Sequence, residues 1–118
     1  MAYVTMFTSK GEEIVVDTLD TNLATWIDMG TGIAEAVKGD NALGIPNGGA
    51  RVSATQTQPA ADTWRHVATI PSGGVVAITE AGVFDASITG NCLIRSNFAA
   101  YNLTASDSIE FTFDLQFA

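Results

Sequence analysis

The closing stretch SIEFTFDLQF, Ser108 to Phe117, decides the fold. Ile109, Phe111, Phe113, Leu115 and Phe117 alternate strictly with Ser108, Glu110, Thr112, Asp114 and Gln116. A period of two places one row against a core and the other against water or a polar partner. Burying each large apolar side chain stabilises by roughly 1.5–3 kcal/mol, so the five together make a main contribution. A slip of one residue turns all five outward, which fixes the register. The stretch reads as a central core strand.

The rest of the chain is cut into short pieces of the same kind. Breaks fall at Ser9–Glu12, Gly30–Gly49, Gln58–Asp62, Pro71–Gly74, Ala86–Asn91 and Thr104–Asp107. Between them lie runs rich in Val, Ile, Thr, Phe and Trp, residue types that suit a pleated, half-buried surface. Strands are expected at Ala2–Thr8, Glu13–Thr18, Ala24–Met29, Ala50–Thr57, Thr63–Ile70, Val75–Glu80, Cys92–Phe98 and Ser108–Phe117. Such spacing predicts an all-β chain, a β-sandwich or small barrel, and a β-sandwich of jelly-roll-like type is the architecture expected. In Thr63–Ile70, Trp64, His66, Ala68 and Ile70 share one face and Arg65, Val67 and Thr69 the other; both are mixed, so the buried face stays open. Helix signal is confined to Ile33–Lys38, where Ile33 and Val37 are four apart and Gly39 offers a stop.

Composition bounds the class. A chain of 118 residues makes one domain, 1–118, with residues 1–12 expected as an N-terminal arm that contacts neighbours. Five Lys+Arg against 13 Asp+Glu give a formal charge of −8, which repels phosphate backbones and argues against direct nucleic-acid binding. Charged residues make up only 15 % and hydrophobic ones 47 %, too apolar for a disordered tail. Uncharged apolar runs such as Gly73–Thr79 fall far short of the ~20 residues of a membrane helix, and no membrane partner is expected. The opening MAYVTMFTSKGEE has no basic region followed by an apolar stretch, so no secretory signal is expected. One cysteine makes no internal disulfide.

The catalytic inventory is thin. His66 is the single histidine and Cys92 the single cysteine; Cys92 sits beside Leu93 and Ile94, where a thiol acts as a small inert apolar group. Two such residues do not build a zinc site. Asp17, Asp20 and Asn22 cluster in DTLDTN, but the calcium-loop pattern is missing and a turn between strands explains them. The glycine-rich stretches Gly44–Gly49 and Pro71–Gly74 do not lead into a helix with Lys-Ser/Thr, so phosphate cradling is not supported. No catalytic residue, metal ligand or cofactor is assigned.

Candidates for partner contact are more specific. Glu80 closes the apolar run VVAIT, and a lone charge there is costly unless solvated, hydrogen-bonded or paired. Arg95, in Leu-Ile-Arg-Ser, is the other charge embedded in apolar sequence, so a Glu80–Arg95 ion pair is expected, either inside the sandwich or across a subunit contact. Tyr3 and Phe7 fall on one alternate face of Ala2–Phe7, a segment suited to adding a strand to a partner's sheet edge. Trp26 and Trp64 are either core residues or interface anchors.

The stretch ITEAGVFDA (Ile78 to Ala86), NCLIRSNF (Asn91 to Phe98), Asn102 and DSIEFTFDLQF (Asp107 to Phe117) resembles the C-terminal part of small virion proteins of tailed bacteriophages, most of all head decoration, or cement, proteins. TWIDMGTGIAEAVKGDNAL (Thr25 to Leu43) matches more loosely. The resemblance implies a non-enzymatic protein, made in the host bacterial cytoplasm, that binds the major capsid protein lattice as a homotrimer on the capsid surface. Three weak contacts then combine into tight attachment. A tail-fibre, neck or baseplate domain with receptor or glycan binding is the alternative; a small cytoplasmic hydrolase is a further one.

Overall fold

The structure is a computed structural model and describes residues 3–117. One helix, α1 (Ser9–Asn22), precedes seven strands: β1 (Trp26–Gly30), β2 (Val52–Ser53), β3 (Thr55–Ala60), β4 (Thr63–Pro71), β5 (Val76–Phe84), β6 (Cys92–Leu103) and β7 (Ser108–Gln116). The strands form two antiparallel sheets with orders β2-β1-β5-β6 and β3-β4-β7. Their inner faces meet in a core of Ile27, Met29, Ile78, Ala81 and Val83 against Ala68, Ile70 and Phe111. The chain is a sandwich-like all-β fold with one short helix.

That helix replaces the strand expected at Glu13–Thr18. The side chain of Thr8 accepts the N–H of Gly11 at 3.1 Å, capping the first turn, and Glu12 complements the helix dipole there. Val16, Leu19 and Leu23 then recur at i, i+3 and i+7 and turn one stripe toward β3 and β4, with Val16 fully buried. The cap and this stripe outweigh the strand preference of Ile14-Val15-Val16, which is weak and context-dependent. Asp17, Asp20 and Asn22 consequently lie on the helix and not in a turn between strands.

The short helix expected at Ile33–Lys38 does not form. Its backbone groups are taken by side chains instead: Ala34 O accepts from Arg95, Ala36 N donates to Asn97, and Val37 N donates to Asp40. Tyr3–Thr8 belong to no strand, and Ala2 of that expected strand lies outside the described residues. Ala50–Thr57 is divided into β2 and the start of β3 at Ala54, whose N–H donates to Thr25 O. In β4 the buried face is Trp64, His66, Ala68 and Ile70.

β7 is not a central strand. It pairs with β4 alone, from Ser108 opposite Pro71 to Gln116 opposite Thr63, and ends the three-stranded sheet. Alternation identifies a face but not the number of neighbours. β6 lies in the other sheet, so its connection through Thr104–Asp107 delivers β7 with one free edge. Of the apolar row only Phe111 is buried, at 7 % exposure, while Ile109, Phe113, Leu115 and Phe117 remain half-buried. Truncating Phe111 to Ala is expected to destabilise by about 3–5 kcal/mol, as for a packed core aromatic. Phe113→Ala is expected to lose only roughly 1–2 kcal/mol, because less area is removed from water. Urea unfolding of dilute protein checks the order of the two.

Candidate interaction surface

β5 sets the interior architecture of the first sheet. Its pairing with β6 shifts register between Ile78 and Glu80: Thr79 alone on β5 stands against residues 98–100 of β6, so the bulge lies in β6. At this irregularity Ile78 and Ala81 both face the core, whereas Glu80, Gly82 and Phe84 face the opposite side. That outer side is covered by the connection from Thr31 to Asn47, and Glu80 is its anchor. Glu80 Oε2 accepts from Gly32 N at 2.6 Å and Ile45 N at 2.8 Å, and Oε1 accepts from Gly44 N at 2.8 Å.

The ion pair with Arg95 forms within the chain. Arg95 Nη2 lies 3.1 Å from Glu80 Oε1, and Arg95 Nη1 lies 2.9 Å from Asp40 Oδ2. Burial pushes the Glu80 carboxyl up, but the N–H groups of Ile45, Gly44 and Gly32 and the Arg95 guanidinium outweigh it and hold it below its ordinary value. Gly32 has no side chain because a Cβ there collides with the Glu80 carboxylate. A Cβ on Gly82 meets Ile94 O at 2.9 Å and the buried Leu43 side chain at 3.2 Å. Glu80 and Arg95 are thus an internal clasp.

Trp64 is likewise internal. Its Nε1 donates to Gln56 Oε1 at 3.0 Å, and Gln56 Nε2 donates to Thr25 Oγ1 at 3.1 Å and to Leu23 O just past α1. Thr25 Oγ1 lies 2.9 Å from His66 Nδ1. The same hydroxyl thus joins Gln56 to the His66 ring. Nε2 is buried without a partner. Burial lowers the His66 pKa to about 4, with Asp114 opposing weakly, so the ring is neutral near pH 7. Cys92 stands apart on β6, where its thiol donates to Ile94 O and burial pushes its pKa up. The structure does not assemble a Cys92/His66 dyad.

Tyr3 and Phe7 have a different setting. Tyr3, Val4 and Met6 are 87 %, 81 % and 78 % exposed, and Phe7 touches its own helix at Gly11 while staying exposed. Trp26 opens β1 opposite Ser53 and Phe84 and is half-buried. Of the six expected contact residues, the structure therefore leaves Tyr3 and Phe7 free, Trp26 partly so, and commits Trp64, Glu80 and Arg95 to internal bonding. The half-buried row of β7 was missed as a contact candidate; its alternation was read as core.

A cleft of about 640 Å³ lies between the Asn47–Val52 and Ile70–Val76 segments. Met29, Val52, Ile70 and Val76 contribute apolar lining, and Asp28 and Arg51 contribute an ion pair of 3.6 Å. Burial raises the Asp28 pKa against the Met29 N–H and Arg51. Arg51 is further engaged by the carbonyls of Ala86 and Thr89 and by the Phe84 ring, 3.7 Å beneath its guanidinium. Among the described residues no three His, Cys, Asp or Glu side chains come together as a metal-binding group. No family model matches the chain, and no curated protein matches it.

Two measurements follow from this geometry. Glu80→Ala strands the N–H groups of Gly32, Gly44 and Ile45 and the buried Arg95 charge, and is expected to destabilise by about 3–5 kcal/mol in urea unfolding. Stability is also expected to fall on mild acidification. Unfolded His66 takes up its proton near 6.5 and folded His66 only near 4, so its contribution is complete above pH 6.5 and fades as pH falls through that window. The loss reaches on the order of 2–3 kcal/mol. Glu80, held below its ordinary value, adds a loss in the same direction at lower pH. Unfolding free energies between pH 7 and 4.5 check this, and His66→Leu should flatten the slope.

Proposed function

We propose that the chain is a capsid decoration protein: it binds the major capsid protein lattice as a homotrimer, sits on the outer surface of a phage head, and stabilises it by binding without catalysis. The observation that carries this reading is an incompletely covered core. The apolar row of β7 stays half-buried beside a free strand edge, and the arm Tyr3–Phe7 is apolar and exposed along its length. A chain that leaves both uncovered suits association, in which a neighbour removes them from water.

The chemistry of the interior supports the same reading. The buried ionisable groups Glu80, Arg95 and His66 are bound up in holding connections and α1 in place, and the Asp28 carboxyl faces a guanidinium that is itself engaged. A general acid or base needs a reacting proton within hydrogen-bond reach, and these groups spend their reach on the chain itself. The virion assignment rests on the resemblance of Ile78–Phe117 to head decoration proteins. Weak contacts repeated around a threefold axis give firm attachment without any strong single contact.

The test is direct. Purified protein added to expanded heads that lack it should co-sediment with them and raise the temperature at which they disrupt. Absence of binding at saturating protein would overturn the proposal. Glycan-dependent binding by the isolated chain would favour a tail-fibre role instead.

A further inference from the structure

Four strand edges bound the two sheets, and the chain guards them unequally. β2 is two residues long. β3 contains Pro59 and a register shift between Thr57 and Ala60. The first half of β6 is overlaid by the Thr31–Asn47 connection: Cys92 N donates to Asn41, and Arg95 and Asn97 bond Ala34 and Ala36. Its second half is interrupted by the register shift between Asn97 and Tyr101. Shortness, proline, bulges and covering segments are the usual devices that keep an edge from pairing. β7 has none of them. It is nine residues long, without proline or lysine, and regular in pairing throughout.

The same chain carries a segment that fits this edge. Tyr3–Thr8 leads into α1 with an extended Thr8 and has no charged side chain. Thr8 caps the helix, leaving Tyr3–Phe7 with exposed side chains. The body is elongated, 61 × 28 × 23 Å, and α1 is held through Val16 and the Leu23–Gln56 bond against β3 and β4. A 14-residue helix is about 21 Å long, so its pinned C-terminal end sets the arm's root a helix length away. Donor and acceptor are complementary yet apart within one molecule.

We propose that the Tyr3–Thr8 arm of one copy adds as a strand to the β7 edge of a second copy. This rests on the reading of the chain as a self-assembling head protein and names the contact that builds the oligomer. Val4 and Met6 continue the apolar row of Ile109, Phe113 and Leu115, because Phe7 on the other face already leans on Gly11. Tyr3 and Thr5 then lie beside Glu110, Thr112 and Asp114. An uncharged arm brings no like charge to a contact between two chains of −8 each. Arm-to-edge contact is head-to-tail, so it closes as a ring or grows into a filament; the ring tested is the trimer that the decoration reading names.

The experiment uses the full chain in solution, without heads. Sedimentation of the unaltered protein at high micromolar concentration should show a closed trimer, and hydrogen exchange should show protection on both sides of β7. The double variant Val4→Pro/Met6→Pro removes two arm donors without touching the body. Its subunit dissociation constant should rise by about 100-fold or more, since each 1.4 kcal/mol is tenfold. Protection on the free side of β7 should vanish while thermal unfolding of the dilute protein stays unchanged. A monomer in the unaltered protein, a trimer that survives both prolines, or β7 protection that appears only on heads would each overturn the inference. Head binding by either protein in those cases leaves the decoration reading standing, and trimerisation without head binding has the reverse meaning.

Discussion

A carboxylate with no exposure to water governs how this sandwich is built. Glu80 sits in the middle of β5, where the neighbouring positions face a hydrocarbon core, and it turns to the other side where the pairing with β6 shifts register. There it organises the 21-residue connection between β1 and β2 that would otherwise have little to bind, gathering N–H groups from Gly32, Gly44 and Ile45. A buried anion with fewer donors is expensive, and one with these donors and Arg95 is a rivet. The glycines at 32 and 82 follow from it: the first makes room for the carboxylate, the second for the backbone of β6 and the side chain of Leu43 above it.

The second sheet is held by different means and reaches a different end. Gln56 joins Leu23, Thr25 and Trp64, and so fixes α1 across β3 and β4 through neutral hydrogen bonds. A ring such as His66 is tolerated there only while uncharged, because burial penalises the charge and its Nε2 has no partner. Nothing equivalent covers β7. One sheet is therefore sealed on its outer side by a pinned connection, whereas the other stops at a strand whose apolar row is half finished. The asymmetry is more informative about association than any single exposed residue, since scattered surface apolar groups are ordinary.

Much of this was legible in the residues. The alternation in Thr63–Ile70 and Ser108–Phe117 locates β4 and β7, and the two charges embedded in apolar sequence, Glu80 and Arg95, do pair. What failed did so for physical reasons. Ile14-Val15-Val16 carries strand preference, but the helix stripe through Val16, Leu19 and Leu23 extends beyond that triplet and becomes visible only when the Thr8 cap is included. Ile33–Lys38 has helix-forming composition, yet Arg95 and Asn97 from distant sequence, and Asp40 from just beyond its end, take its backbone groups first. Period two cannot separate an edge from a centre, because it records the faces of a strand and says nothing of its neighbours.

An open edge with a half-buried aromatic row invites indiscriminate pairing, and the charges along the outer face of β7 moderate it. Asp114 is held by Arg65 through a paired contact at 2.7 and 2.9 Å, and Glu110 stands exposed two turns of the pleat away. A net charge of −8 adds a general repulsion between copies that weakens as salt screens it. Only a segment without charge, and with apolar groups on alternate positions, approaches the edge without opposing these fields. The selectivity of the edge thus comes from what it repels as much as from what it can bury, and an acidic surface around an unguarded strand is how one contact is favoured over many.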